Sequence, residues 1–90
     1  MTDYNKLPTH MRDGFRRYIE HGIEGGGFIN AVLENNLMRA MGKADDFNRV
    51  AMFSICDFVY NDAPASCHGS PERVRAWIES GGINGRTIGD

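Results

Sequence analysis

Cys67 and His68 pair a thiol with an imidazole, the two groups a cysteine hydrolase uses when its base withdraws the proton from its nucleophile. Neighbours in a loop seldom aim at one another, and no third side chain stands nearby to orient the imidazole. Catalysis is therefore not expected from this pair, and a depressed thiol pKa would be its first sign. Zinc is expected even less. There is no Cys-x-x-Cys, and the two cysteines and three histidines are scattered without ligand spacing. Asp45-Asp46 and the pair Asp57/Asp62 fit helix caps and solvated charge better than an acid–base couple. The chain is expected to be a binder, not an enzyme, and to use no cofactor and no metal.

A second group of residues suits binding. Lys6, His10, Arg12, Arg16 and Arg17 are interleaved with Tyr4, Phe15 and Tyr18. Rings stack on nucleobases, and cations hold phosphates. Helical spacing by itself also explains Phe15 and Tyr18 as core, with the cations on a solvated face. Gly25-Gly26-Gly27 precedes a helix, where exposed backbone N–H groups can cradle a phosphate. A plain interhelical turn is the simpler account, because the Lys-Ser/Thr of a P-loop is missing and Glu24 opposes an anion. The candidate ligand-binding set is Tyr4, Asn5, Lys6, His10, Arg12, Arg16, Gly26, Gly27 and Phe28.

These residues need a scaffold, and periodicity predicts a helical one. From Pro8, Met11, Phe15, Tyr18 and Ile19 recur at helical spacing, and Gly22 is a natural stop. Gly14 inside this helix implies a close helix contact or a weakened helix. A second helix begins near Gly27 with Phe28, Ile29, Val32 and Leu33 on one face. Asn35-Asn36 breaks it, and a short helix resumes to Gly42. A third helix is expected from Ala44 to about Asn61. One stripe of it holds Phe47, Val50, Ala51, Ile55 and Phe58, and another holds Met52, Phe53, Cys56, Val59 and Tyr60. So much apolar circumference exceeds what one small domain covers, so this helix is either the centre of a tight bundle or part of a subunit contact. Ser70-Pro71-Glu72 opens the last helix, with Val74, Trp77 and Ile78 as its stripe and the Trp77 indole finding a partner at the surface.

The expected fold is all-α, a compact bundle of about four helices in one domain spanning 1–90, with an arm at 1–7 and a tail at 81–90 that frays or docks. Ninety residues bury only roughly 60–65% of the unfolded surface, which makes self-association a natural remedy. The apolar fraction of 41% excludes disorder by composition. Ten Lys+Arg against twelve Asp+Glu, a net charge of −2, argue against duplex nucleic acid as a partner. No apolar run is long enough to span a membrane, and the polar start lacks the layout of a signal peptide, so the cytoplasm is the expected compartment.

The runs LPTHMRDGFRRYIEHGIEGGGF, AVLENNLMRAMGKADD, VYNDAP and GSPERVRAW together resemble small tailed-phage proteins similar to the anti-CBASS sponge family. The resemblance covers about residues 4–80. It implies a helical protein that assembles into compact hexamers in the host cytoplasm. It implies cyclic dinucleotides held between the N-terminal helices of two protomers, cyclic trinucleotides held at a separate kind of site, and no chemistry on either. The family's dinucleotide site uses an N-terminal tyrosine, matched by Tyr4, and a lysine, for which Lys6 is the nearby residue. A rival expectation is a protein-binding inhibitor of a host defence complex, of anti-CRISPR type, or another phage accessory protein.

Overall fold

The computed structural model describes residues 2–86, and every regular element among them is helical. The elements are α1 (Thr9–His21), α2 (Gly27–Leu33), α3 (Leu37–Lys43), α4 (Asp46–Val50), α5 (Met52–Asn61), α6 (Pro71–Ser80) and α7 (Gly82–Arg86), with 3-10 turns at Tyr4–Lys6 and Ala65–Cys67.

In α1 the stripe of Met11, Phe15, Tyr18 and Ile19 is buried as its spacing predicts. Pro8 stands one residue ahead as the N-cap, and Gly22 closes the helix in the left-handed region at φ 69°. Gly14 marks a close contact, since a Cβ there would lie 2.8 Å from Ile29 Cδ1 of α2. Asn35, also left-handed at φ 64°, ends α2, and the Asn36 side chain then caps α3 by accepting the Arg39 N–H.

The expected single helix from Ala44 to Asn61 is two helices. Asp45 caps α4 by accepting the Asn48 N–H, and the chain turns at Ala51 (φ −89°, ψ 4°) before α5. The halves serve different neighbours. Asn48 is buried and bonded to His10 of α1, while Ile55, Phe58 and Val59 of α5 enter the core. Phe47, Val50, Phe53 and Tyr60 of these two helices are between 75% and 90% exposed, so the apolar excess seen in the sequence lies on the surface of the single chain.

The last helices lock onto the first. Ser70 caps α6 with Pro71 in its first turn. Trp77 is buried with its stripe at 2% exposed, and its indole N–H, expected to find a partner at the surface, is instead shared inside by the carbonyls of Tyr18 and Ile19 at 3.0 and 3.2 Å. The Tyr18 hydroxyl donates to the Cys67 carbonyl at 2.6 Å. Residues 82–86 of the expected tail form α7, which packs on α1 so closely that a Cβ on Gly82 would meet the Gly22 nitrogen at 2.6 Å. Residues 87–90, the rest of that tail, lie outside the described residues.

Tyr18→Phe removes the buried hydroxyl bond with little change of volume. It should cost about 1–2 kcal/mol, read as a lower urea midpoint with an unchanged slope.

Candidate functional site

The N-terminal arm lies across α1 and α5, and most of its candidate ligand-binding groups are already engaged there. The Tyr4 hydroxyl donates to Glu20 Oε2 at 3.1 Å. One neighbour of its ring is Phe58, 5.7 Å away between centroids, and another is the Arg16 guanidinium, 4.8 Å from the ring centre. Arg16 also lies 4.0 Å from Glu20. Lys6 Nζ bridges Asp62 at 3.1 Å and Asp57 at 3.4 Å, both contributed by α5 and its end. Arg12 donates from Nε to the Leu7 carbonyl and from Nη2 to the Asn5 carbonyl, which holds the arm's turn against α1. The Asn5 N–H in turn donates to Asp3. Tyr4, Asn5, Lys6, Arg12 and Arg16 thus form one cluster, stitched together by charge and hydrogen bonds.

His10 sits apart from that stitching, at the first turn of α1. Its Nε2 is 2.9 Å from Asn48 Oδ1, and its ring meets Phe47 nearly edge-on at 6.2 Å. His10 therefore borders the exposed apolar surface of α4 and α5. Arg17 is exposed and makes no ion pair among the described residues.

Gly26, Gly27 and Phe28 form a second group at the start of α2. Gly26 is the N-cap, Phe28 is buried, and the stem of Lys43 lies over Gly27, where a Cβ would meet Lys43 Cδ at 2.8 Å. Lys43 is a cation that sequence reading missed. It comes from the far end of α3, and no local pattern joins it to the glycines. Asp57 and Asp62 were likewise visible in the sequence, but only the fold shows that they neutralise Lys6.

Cys67 is fully buried, while His68 lines a cavity together with Cys56. Cys56, expected in the core, is half-buried, and burial raises its thiol above the usual range, the opposite of activation. No group of three metal-ligating side chains occurs among the described residues. No helix there is long and apolar enough to cross a membrane. No family model, no curated protein and no solved structure matches the chain.

The arm's electrostatics carry a pH dependence. Burial and then the Glu20 carboxylate raise the Tyr4 phenol, and the hydrogen bond to Asp62, with Asp57 adding to it, raises Lys6. Both groups hold their protons more tightly when folded. The stability they contribute is complete below their unfolded values near pH 10 and is lost as pH climbs through the raised ones. Urea midpoints measured through that range should fall, and Tyr4→Phe should make the fall shallower.

Proposed function

We propose that the chain is a phage-type anti-defence protein that binds and sequesters cyclic oligonucleotides without cleaving them, and that it works as a homo-oligomer. The observation that carries this reading is the place of His10, which shares α1 with Arg12 and Arg16 of the N-terminal cluster and meets Phe47 of the uncovered apolar surface. A second copy laid on Phe47, Val50 and Phe53 brings its own surface to the rim of that cluster, and a pocket shared by two copies results. The sponge-family resemblance implies a pocket of that kind.

In this reading a base stacks on the Arg16 guanidinium, which itself lies over Tyr4, and Arg17 supplies positive charge for a phosphate. Lys6 acts at one remove, by holding the arm on α5. In this reading the ligand is held and not cleaved, as the sponge-family resemblance implies.

The apolar surface also favours a second reading, an inhibitor that docks on a host defence protein. With an aromatic side chain presenting roughly 150–250 Å², the exposed groups of α3, α4 and α5 offer an area on the order of the 800 Å² per partner found in ordinary protein interfaces.

Native mass measurement combined with calorimetric titration by cyclic di- and trinucleotides tests both readings. The first expects a particle of several copies that Val50→Asp dissociates, and heat of binding that Arg16→Ala weakens by roughly tenfold or more, as loss of base stacking does. No heat with any cyclic oligonucleotide sinks it. Co-purification of a host complex by the same heatless protein establishes the second.

A further inference from the structure

A ring-sized cavity lies between the end of α2, the outer side of α5 and the loop before α6. Its volume is about 180 Å³. A cavity of roughly 150 Å³ with apolar walls takes up benzene, so this one has room for a single six-membered ring. Val32 and Val59 provide apolar walls. Asn35, Tyr60 and His68 also line it, and none of the three side chains hydrogen-bonds to another of the described residues. Burial and then the nearby Arg73 push the His68 imidazole below its usual range, so it is neutral at pH 7, with one nitrogen to donate and one to accept. The lining carries no fixed charge. Apolar walls with a few polar side chains that are bonded to no other part of the described chain suit the edge of an uncharged heteroaromatic base.

A different chemistry adjoins the cavity. Gly69, part of the cavity wall, has φ +121°, and a Cβ there would lie 3.4 Å from Arg73 Nη1, so the Arg73 side chain lies against it. Arg73 also borders an open depression of about 440 Å³ together with Ser66. Its guanidinium bonds to no carboxylate among the described residues. A cation and a hydroxyl beside a slot for a neutral ring match the parts of a nucleotide, an uncharged base joined through a sugar to a phosphate.

We propose that this is a nucleotide-binding site. The base enters the cavity, where Asn35 and His68 bond its edge, and the phosphate lies on Arg73 with the Ser66 hydroxyl donating to it. The site is separate from the N-terminal cluster. It rests on the reading above for the kind of ligand met in the cell, and neither the arm nor a second copy takes part in it.

Alkylation of the native protein reports on this cavity, because Cys56 lines it and Cys67 is fully buried. Uridine 5′-monophosphate is the probe. It should slow Cys56 alkylation several-fold and saturably, and should shift the methyl resonances of Val32 and Val59. Uridine should need a concentration roughly ten- to a hundredfold higher, the loss expected for one charged contact. Ribose 5-phosphate should leave Cys56 unprotected. Arg73→Gln should reduce the monophosphate to the level of uridine, whereas Arg16→Ala should not change its binding. No protection by the monophosphate in folded wild-type protein, or equal protection by ribose 5-phosphate, overturns the proposal. Calorimetric binding of cyclic oligonucleotides beside an inert monophosphate removes this site and leaves the N-terminal one standing. Protection by the monophosphate without that heat does the reverse.

Discussion

The indole of Trp77 holds the two ends of the chain together. Its single N–H is shared between the carbonyls of Tyr18 and Ile19, in the last turn of α1. The Tyr18 carbonyl also accepts the Gly22 N–H that closes the helix, so the indole adds a second donor there and serves the Ile19 carbonyl, whose helix has ended. Tyr18 extends the clasp by reaching from the same turn to the Cys67 carbonyl in the loop before α6. The glycine contact between Gly22 and Gly82 then lets α7 lie flat on the end of α1. With short helices and little interior, the molecule is organised by these few bonds across α1 as much as by its apolar packing.

The parts of this fold legible in the sequence are those governed by short-range rules. Helical spacing identified the buried stripe of α1, the glycine stop at Gly22, the asparagine break after α2 and the Ser70-Pro71 start of α6. The break at Ala51 was not legible, because no glycine or proline between Ala44 and Asn61 marks it. Trp77 was legible as part of an apolar stripe, but the partners of its indole were not, since they lie 58 and 59 residues away. The candidate site shows the same division. The cations and rings of the arm were visible as types, whereas their pairing with Glu20, Asp57 and Asp62 depends on the way α1 and α5 flank the arm.

The two halves of the surface therefore differ in what they still lack. The arm is rich in charge and has little unmet electrostatic demand, because its lysine and two of its arginines have found carboxylates or carbonyls within the chain. The outward face of α4 and α5 has large unmet apolar demand, with Phe47, Val50, Phe53 and Tyr60 projecting into water. Soluble monomers seldom leave so much apolar surface together. The drive toward a partner is strongest on that face, and the arm's contribution lies in what is arranged at its border.

The Arg16–Glu20 contact has a consequence for any anion that reaches the arm. A ligand that claims Arg16 takes it from a carboxylate, so binding there is an exchange of one counter-charge for another, with Glu20 keeping the Tyr4 hydroxyl as its donor. Association with a long polyanion draws its strength from small ions released by unpaired cations, and it fades steeply as salt is added. An exchange of this kind releases few ions. Its affinity is set by how well the newcomer's shape and rings replace what the carboxylate supplied, and it varies little with ionic strength.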